Sequence, residues 1–237
     1  MAQTTIAVLS GSVLTLCCVN MGDVMQWQDR IDNYVRQTGF PRSLFAAEDG
    51  RVVGTWIMGN DYRVKSTYYG GYPAGYLRRV RALFPDKRAA LHLFSGKVDT
   101  AAFPGDTVDI NPALHPTYVD DAQTLGTVPL DSYDLVLADP PYSVEDCDHY
   151  GTSMVKRNRV LRALQRLPAG AHVVWLDQVL PMYRKDTFGI EATIGMWKST
   201  NHRFRGITVF RRLGAFGVEQ LDNGTPEGFA KTTLEPA

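Results

Sequence analysis

The sequence predicts an α/β protein with a mostly parallel sheet that ends in an antiparallel strand pair. After Pro85, short apolar segments alternate with loops and helical segments, which is typical of parallel strands buried on both faces. Two longer strand-like segments, 190–197 and 206–212, lie close together and predict the antiparallel pair. The 237 residues are enough for one domain of ~200 residues with a small appendage.

The residues before Pro85 predict two helices and a hairpin. Gly39 and Pro41 end the first helical pattern, and Pro73 stands where a second helix begins. Between these helices, strand-like segments flank a turn at residues 48–50. The predicted elements are a helix over residues 23–38, a hairpin over residues 43–58 and a helix over residues 74–84.

The residues after Pro85 predict five strands and one amphipathic helix before the closing pair. The link over residues 96–106 is very short, because a crossover with its helix normally takes ~10–12 residues or more. We therefore expect the first crossover helix to be rudimentary or missing. The predicted strands are 89–94, 107–110, 117–119, 133–138 and 172–176, and the predicted helix is 152–167.

Charge is balanced over the whole chain but not along it. Lys plus Arg and Asp plus Glu total 25 each, which argues against a protein that coats nucleic acid by bulk charge alone. Residues 99–148 contain eleven acids and no Lys or Arg, whereas residues 151–212 contain twelve bases and three acids. The asymmetry indicates either two differently solvated faces or two unlike partners, one for each end of the molecule.

Neither the cysteines nor the apolar segments indicate a metal site or a membrane span. Cys17 and Cys18 are adjacent, so there is no C-x-x-C pair for zinc, and the three cysteines suit a reducing cytoplasm. The apolar segment 6–19 is shorter than the ~20 residues of a membrane helix and lacks the basic start of a signal peptide. Met21 is an alternative start, so residues 1–20 need not belong to the functional protein.

The strongest chemical signal is the tetrapeptide Asp139-Pro140-Pro141-Tyr142, directly after the apolar segment 133–138. Ligands of open α/β sheets bind beyond the carboxyl ends of strands. The two prolines stiffen the backbone, and the Asp139 carboxylate and the Pro140 carbonyl both accept hydrogen bonds. Together they could hold the two hydrogens of an exocyclic amino group, with Tyr142 stacked on its ring. The alternative is an ordinary surface turn.

This motif resembles the catalytic motif of the amino-methyltransferases, which move a methyl group from S-adenosylmethionine to an exocyclic base amine. DNA adenine-N6 methyltransferases most often carry Asp-Pro-Pro-Tyr or Asn-Pro-Pro-Tyr, and ribosomal-RNA guanine-N2 enzymes have a similar loop. The resemblance extends over roughly residues 68–212. It implies a Rossmann-like class I methyltransferase sheet, S-adenosylmethionine as the cofactor, adenine in DNA as the favoured target and no metal.

The resemblance also assigns cofactor contacts to the acidic part of the chain. A loop after the first strand approaches the methionine part, a strand-end acid takes the ribose hydroxyls, and a further acid lies beside the adenine amine. Here Asp121 is the better match for that last role, and the loop has one glycine where the family usually has two. Each position could instead be a strand end, a cap or loop solvation. The implied contacts are Tyr72, Pro73, Phe94, Ser95, Gly96, Asp109, Asp120, Asp121 and Asp139.

Basic and aromatic residues after the motif are candidates for substrate binding. A polyanionic substrate would lie against the basic part of the chain, where cations contact phosphates and Phe204 stacks or wedges. The alternative for the helix cations is an ordinary solvated face. The candidates are Lys156, Arg157, Lys198, His202, Arg203, Phe204 and Arg205.

The domain organisation follows from these segments. We expect an N-terminal extension over residues 1–67 that could contact substrate, a methyltransferase domain over 68–213 and an irregular tail over 214–237. No target-recognition domain of the usual size is visible, which suits a short target site and an enzyme of a phage or mobile element. An RNA base methyltransferase and a non-enzymatic nucleic-acid-binding module remain the alternatives, and the oligomeric state is left open.

Overall fold

The computed structural model describes residues 25–59, 71–143, 145, 147–148, 152–199 and 202–214. Its described helices of eight or more residues are α1 (Trp27–Thr38) and α2 (Tyr76–Leu83), and the shorter α3 (Arg157–Ala163) continues into a 3-10 turn. The strands are β1 (Leu44–Ala46), β2 (Val52–Met58), β3 (Ala90–Leu93), β4 (Asp106–Asp109), β5 (Tyr118–Val119), β6 (Leu135–Ala138), β7 (His172–Asp177), β8 (Phe188–Lys198) and β9 (Phe204–Arg212).

The nine strands of the described residues form one sheet in the order β1-β2-β8-β9-β7-β6-β3-β4-β5. Every neighbouring pair from β7 to β5 is parallel, and β9 is inserted antiparallel between β7 and β8. The predicted fold class is therefore confirmed as a mixed, mostly parallel Rossmann-like sheet with a closing antiparallel pair. Because parallel strands end at the same edge, β3, β4, β6, β7 and β8 all deliver the residues that follow them to one carboxyl edge.

The N-terminal hairpin belongs to this sheet. The predicted hairpin is confirmed, and β2 pairs in parallel with β8 from Val52 opposite Ala192 to Met58 opposite Lys198. Its inward side chains, Trp56 and Met58, are buried in the same core as the β8 residues. The predicted division at residue 67 and the tail after Gly214 lie outside the described residues, as do residues 1–24.

Helices α1 and α2 cover one face of the sheet. Tyr34 of α1 stacks on Trp56 of β2, and Trp56 contacts the edge of the Tyr76 ring of α2. The buried Arg30 fixes α1 to the end of α2, because its guanidinium donates to the Leu83 carbonyl at 3.0 Å and forms a two-pronged pair with Asp86. A guanidinium so well paired can be buried without the full cost of an isolated charge.

All three predicted helices begin later than the sequence pattern indicated. The first, predicted from residue 23, begins at Trp27, and the two described residues before Trp27 are not helical. The second begins at Tyr76 because Gly75 has a φ of 76°, a left-handed conformation that no right-handed helix contains. The third begins at Arg157, and residues 152–156 before it are irregular. No helix connects β3 to β4 across residues 94–105, all of which are described, so the expectation of a missing crossover helix is confirmed. None of the helices among the described residues is long and apolar enough to span a bilayer.

Candidate functional site

The Asp-Pro-Pro-Tyr tetrapeptide follows β6, the strand between β3 and β7. Ala138, the last residue of β6, lies opposite Leu93 of β3 and Trp175 of β7. Pro140 is buried, and Asp139 and Tyr142 are half-buried. The tetrapeptide is therefore packed against the carboxyl edge of the sheet rather than projecting into solvent.

Two tyrosines preceding and beginning α2 lie beside Asp139. The Tyr72 and Tyr76 rings stack with centroids 4.9 Å apart. Both hydroxyl oxygens are buried, and neither has a hydrogen-bond partner among the described residues. Burial raises the pKa of both phenols well above the usual value, and the negative charge of Asp139 raises each pKa further. Two polar atoms that need a partner therefore lie in the electrostatic field of the proposed amine-binding carboxylate.

Tyr76 was not among the residues predicted from sequence. Tyr72 precedes α2, and the left-handed Gly75 lies between the two tyrosines, so no helical spacing relates them in the sequence. Their stacking depends on the turn before α2, and no local signal identified the second tyrosine. Pro73, also predicted as a cofactor contact, is buried, and its carbonyl accepts a hydrogen bond from the Tyr76 N–H at 2.9 Å.

The connection between β8 and β9 brings cations to the same place. The Arg205 guanidinium lies 4.1 Å from the centre of the Tyr142 ring. Burial lowers the pKa of Lys198, as do the positive charges of Arg205 and Arg203, while Asp139 acts in the opposite direction. Of the predicted substrate residues, Arg205 thus contacts the tetrapeptide, Lys198 lies within the electrostatic field of Asp139, and Arg203 lies within reach of Lys198. His202 is exposed with a φ of 54° in the same connection, and Thr200 and Asn201 lie outside the described residues.

Arg157 occupies a different environment from these cations. Its guanidinium forms a two-pronged ion pair with Asp177 at 2.6 and 3.1 Å, and Asp177 is 1% exposed. Asp177 also accepts hydrogen bonds from the Trp175 indole and the Gln178 N–H. The sequence analysis missed Asp177, although it ends a parallel strand as Asp139 follows one. Lys156 is exposed just before α3, and phosphate contacts by Lys156 and Arg157 stay predictions.

The ends of β3 and β4 bring together four of the predicted cofactor residues. Phe94 and Gly96 have φ angles of 55° and 52°, so the chain turns sharply after β3. The Asp109 carboxylate accepts the Gly96 N–H at 2.9 Å through one oxygen and the Asn111 N–H at 2.9 Å through the other. The Ser95 hydroxyl is buried and has no hydrogen-bond partner among the described residues.

The two acids after β5 differ in exposure. Asp120 is half-buried next to Asp109, because its N–H donates to the Asp109 carbonyl at 3.1 Å. Burial acts to raise the pKa of Asp120, but hydrogen bonds from the Thr127 N–H and hydroxyl outweigh it and lower the pKa. Asp121, the acid favoured from sequence, is exposed and accepts the Gln123 N–H at 2.9 Å in a turn. Neither position is yet tested as an adenine contact.

A polar cavity of about 340 Å³ lies beside the β3–β4 connection. It is lined by residues that include Gly96, Lys97, Thr107 and His115, and it reaches the predicted cofactor residues only at Gly96. Asp139 does not line this cavity, so the cavity is separate from the side chains gathered around Asp139. Within the described part of the chain, no cluster of three or more His, Cys, Asp or Glu side chains could hold a metal ion.

Comparison with known proteins gives distant likenesses to solved structures. No protein-family model and no curated protein matches the chain. The chain is similar to the N-methyltransferase NodS from Bradyrhizobium japonicum WM9, with 13% identity, a TM-score of 0.39 and coverage of 58% of this chain and 93% of that one. It is also similar to yhhF from Escherichia coli, described as a candidate methyltransferase, with 13% identity, a TM-score of 0.39 and coverage of 67% and 97%. The functional proposal therefore rests on the residues of the carboxyl edge.

Proposed function

We propose that the protein transfers a methyl group from S-adenosylmethionine to the exocyclic amino group of a nucleic-acid base, with N6 of adenine in DNA as the favoured target. The observation that carries the proposal is the half-buried Asp139 and the buried Pro140 at the end of a central strand, beside two buried tyrosine hydroxyls. A rigid pair of acceptors at this edge suits a flat ring that bears an NH₂ group.

Asp139 and Pro140 orient the amine. The Asp139 carboxylate accepts one amine hydrogen and the Pro140 carbonyl accepts the other, so that the nitrogen lone pair points away from both. The prolines hold these acceptors in place because their φ angles are fixed. Such alignment can contribute ~7–11 kcal/mol to the lowering of the barrier. The amine becomes acidic once it is methylated, so Asp139 need not remove a proton beforehand.

Tyr142 and its neighbours position the ring that carries the amine. The Arg205 guanidinium supports one face of the Tyr142 ring at 4.1 Å. The stacked rings of Tyr72 and Tyr76 are buried within the electrostatic field of Asp139. If the target base belongs to a duplex, it must leave the stack to reach these residues, at a cost of a few kcal/mol.

The residues at the ends of β3 and β4 fit the cofactor. The buried Ser95 hydroxyl without a partner among the described residues is a polar atom that a ligand can satisfy. Each oxygen of Asp109 accepts one backbone N–H and keeps capacity for a ribose hydroxyl, because a carboxylate has about four lone-pair sites. When bound, S-adenosylmethionine supplies an electrophilic methyl group on a sulfonium cation. Ser95, Gly96 and Asp109 would hold it, and Asp120 or Asp121 would contact its adenine amine.

Product analysis tests this function directly. The purified protein is incubated with isotope-labelled S-adenosylmethionine and either DNA or RNA, and the nucleic acid is digested to nucleosides and analysed by mass. We expect labelled N6-methyl-2′-deoxyadenosine from DNA; the label in a ribonucleoside from RNA would move the proposal to the RNA alternative. The same assay is run on Asp139→Ala, which is expected to lower turnover. Asp131→Ala, a change at an exposed acid, is its matched control. The absence of a labelled nucleoside from both nucleic acids would contradict the proposal.

A second candidate function is a nucleic-acid-binding module without catalysis. The observation that favours it is the connection over residues 94–105, which has no helix and only one glycine before Gly105. Calorimetry with S-adenosylmethionine separates the two candidates. Heat of binding, together with a higher melting temperature in the presence of the cofactor, supports the enzyme, and the absence of both supports the module.

A further inference from the structure

Three apolar side chains form an exposed row across the carboxyl edge of the sheet. Ile57 of β2 lies opposite Trp197 of β8, and Trp197 lies opposite Phe204 of β9. Directly opposite residues in neighbouring strands share one face of a sheet. These side chains are 70%, 48% and 49% exposed, whereas their strand neighbours Trp56 and Met196 point to the other face and are buried. We call Ile57, Trp197 and Phe204 the edge row.

Contacts within the strand pair hold the aromatic rings of the edge row in place. The Trp197 and Phe204 rings contact each other with centroids 4.9 Å apart and an interplanar angle of 57°. The Phe204 ring lies over Gly195, where an added Cβ would be 3.0 Å from a ring carbon. The end of β8 is fixed to the end of β2 by a hydrogen bond of 2.9 Å from the Ser199 N–H to the Met58 carbonyl. Two aromatic rings are therefore held at the surface by a rigid backbone.

Three cations lie close in the chain to the aromatic residues of the edge row. Residues 196–206 contain Lys198, Arg203 and Arg205 and no acid. The acid of β8, Glu191, lies toward the opposite end of the strand, where its carboxylate is engaged by Trp27 and His172. Burial lowers the pKa of Lys198, and so do the positive charges of the neighbouring Arg205 and Arg203. The end of the β8–β9 pair thus combines exposed aromatic rings with a local excess of positive charge.

The edge row adjoins the candidate active site along the chain. Phe204 of the row is followed by Arg205, whose guanidinium lies 4.1 Å from the Tyr142 ring centre. Trp197 of the row is followed by Lys198, whose partner across the sheet is Met58. Because successive side chains of a strand point to opposite faces, Arg205 and Lys198 lie on the face opposite the row. A nucleic-acid strand bound on the row would therefore reach the tetrapeptide by passing over the carboxyl edge of the sheet.

We propose that the edge row binds unpaired nucleotides, so that the protein recognises a single-stranded segment of nucleic acid next to its target base. Exposed aromatics on a sheet stack about two or three bases, and nearby cations contact the phosphates. Bases inside a duplex are stacked on one another and cannot use these rings. A second copy of this chain is a poorer occupant, because a symmetric contact would bring two sets of cations together. That the neighbouring base is the target of methyl transfer rests on the proposed function, whereas the binding of a single strand to the edge row does not.

Fluorescence anisotropy with labelled oligonucleotides tests the proposal without cofactor. The probes are a single-stranded DNA of mixed sequence, the RNA of the same sequence and the DNA duplex. We expect the single strands to bind more tightly than the duplex. Trp197→Ala is expected to weaken single-strand binding by about 5- to 150-fold, the equivalent of losing one stacked base. The preferred probe, DNA or RNA, identifies the source of the single strand.

Phe45→Ala is the matched control. Phe45 is 55% exposed and pairs with Val53, which is four residues, or ~13 Å, along β2 from Ile57. Its replacement is expected to leave binding unchanged. A thermal melt of each variant checks that it is folded, and Trp197→Phe is expected to retain most of the affinity because it keeps an aromatic face.

The outcomes separate this inference from the proposed function. Equal affinity of Trp197→Ala and the wild type for single strands overturns the inference, and so does tighter binding of the duplex. Methyl transfer to a base under those results leaves the proposed function intact. Conversely, single-strand binding that depends on Trp197, without methyl transfer to any nucleoside, supports the edge row and contradicts the enzyme.

Discussion

Asp139 is the residue whose replacement distinguishes chemistry from cofactor binding. If its carboxylate holds the amine, Asp139→Ala lowers turnover by about 10²–10³-fold, as for removal of one positioned polar group in other active sites. We expect the affinity for S-adenosylmethionine, measured by calorimetry, to change by less than about threefold. Asp131→Ala is the control. A large loss of cofactor affinity instead would place Asp139 in the cofactor site, the other role that the resemblance gives it.

Tyr76 is a second residue of the candidate site at which the proposal can be tested. Its hydroxyl is buried near Asp139 without a partner among the described residues. Tyr76→Phe removes a polar atom that has no partner to lose, so the free energy of unfolding is expected to stay within ~0.5 kcal/mol or to rise. If the hydroxyl contacts the substrate or cofactor, KM or turnover changes while stability does not. Urea denaturation and steady-state kinetics on the same preparation measure both; a marked loss of stability would show that the hydroxyl has a structural partner.

At the scale of single residues, the sequence predicted acidic strand ends better than it predicted their neighbours. Asp139 and Asp109 were found because each stands at the end of an apolar strand segment. The contact between Arg205 and Tyr142 could not be predicted, because 63 positions separate these residues in the chain. Asp177 was missed for another reason: its burial and its pair with Arg157 depend on where α3 packs.

The ion pair that joins α3 to β7 depends on Asp177. Asp177→Ala leaves the Arg157 guanidinium without its carboxylate, and the side chain of Arg157 is only 17% exposed. Removing one partner of a buried ion pair typically costs ~3–5 kcal/mol, so we expect a loss of stability of this size. Urea denaturation measures it, with Asp131→Ala as the exposed control. A loss below ~1 kcal/mol would show that the ion pair is solvated and does not fix α3 to the sheet.

The N-terminal hairpin depends on a glycine. A Cβ at Gly54 would overlap the Ser43 carbonyl oxygen and lie 2.9 Å from the Cα of Leu44. Because both neighbouring atoms belong to the backbone, Gly54→Ala is expected to destabilise the protein by ~1–3 kcal/mol and to separate β1 from β2. Gly126→Ala, which adds a Cβ in open space, is the control in the same thermal melt. Equal melting temperatures for the two variants would contradict the strand pairing described here.

The elements themselves were largely predictable, and their boundaries were less so. The hairpin, the first helix and all the predicted strands are present, since alternation and apolar runs are local signals. The start of α2 was wrong by two residues because Gly75 adopts a conformation that only the packed structure selects. The start of α3 was wrong by five residues, since the apolar pattern extends into a segment that forms no helical hydrogen bonds.

The whole molecule is expected to lose stability as the pH falls below about 6.5. Burial lowers the pKa of His172 and of His92 in the folded protein, and for His172 the charges of Lys87 and Arg30 lower it further, against the effect of Glu191. The unfolded state therefore binds more protons below this pH, so acidification favours unfolding. Stability is therefore at its full value above the pKa that these histidines have in the unfolded state. It falls progressively as the pH drops from that value through their lower pKa in the folded protein.

Melting curves between pH 7.5 and 5.5 measure this linkage. His172→Gln is expected to reduce the slope of stability against pH by at most about 1.4 kcal/mol per pH unit, the value for one proton. His115→Asn, at an exposed histidine, is expected to leave the slope unchanged. A wild-type protein that is equally stable at both pH values would contradict the burial of these histidines.

The sequence alone determined the fold class, the strand that carries Asp139 and the acids that end the neighbouring strands, because each is recorded in local apolar runs and in the residues that stop them. The order of strands was decided by tertiary structure, since pairing between β2 and β8 joins residues about 140 positions apart and no local pattern specifies such a partner. Long-range pairing of β9 with β7, and of β7 with β6, likewise brings Arg205 to Tyr142. The proposed chemistry was therefore inferred from one segment, whereas the surface that surrounds that segment exists only once distant strands have come together.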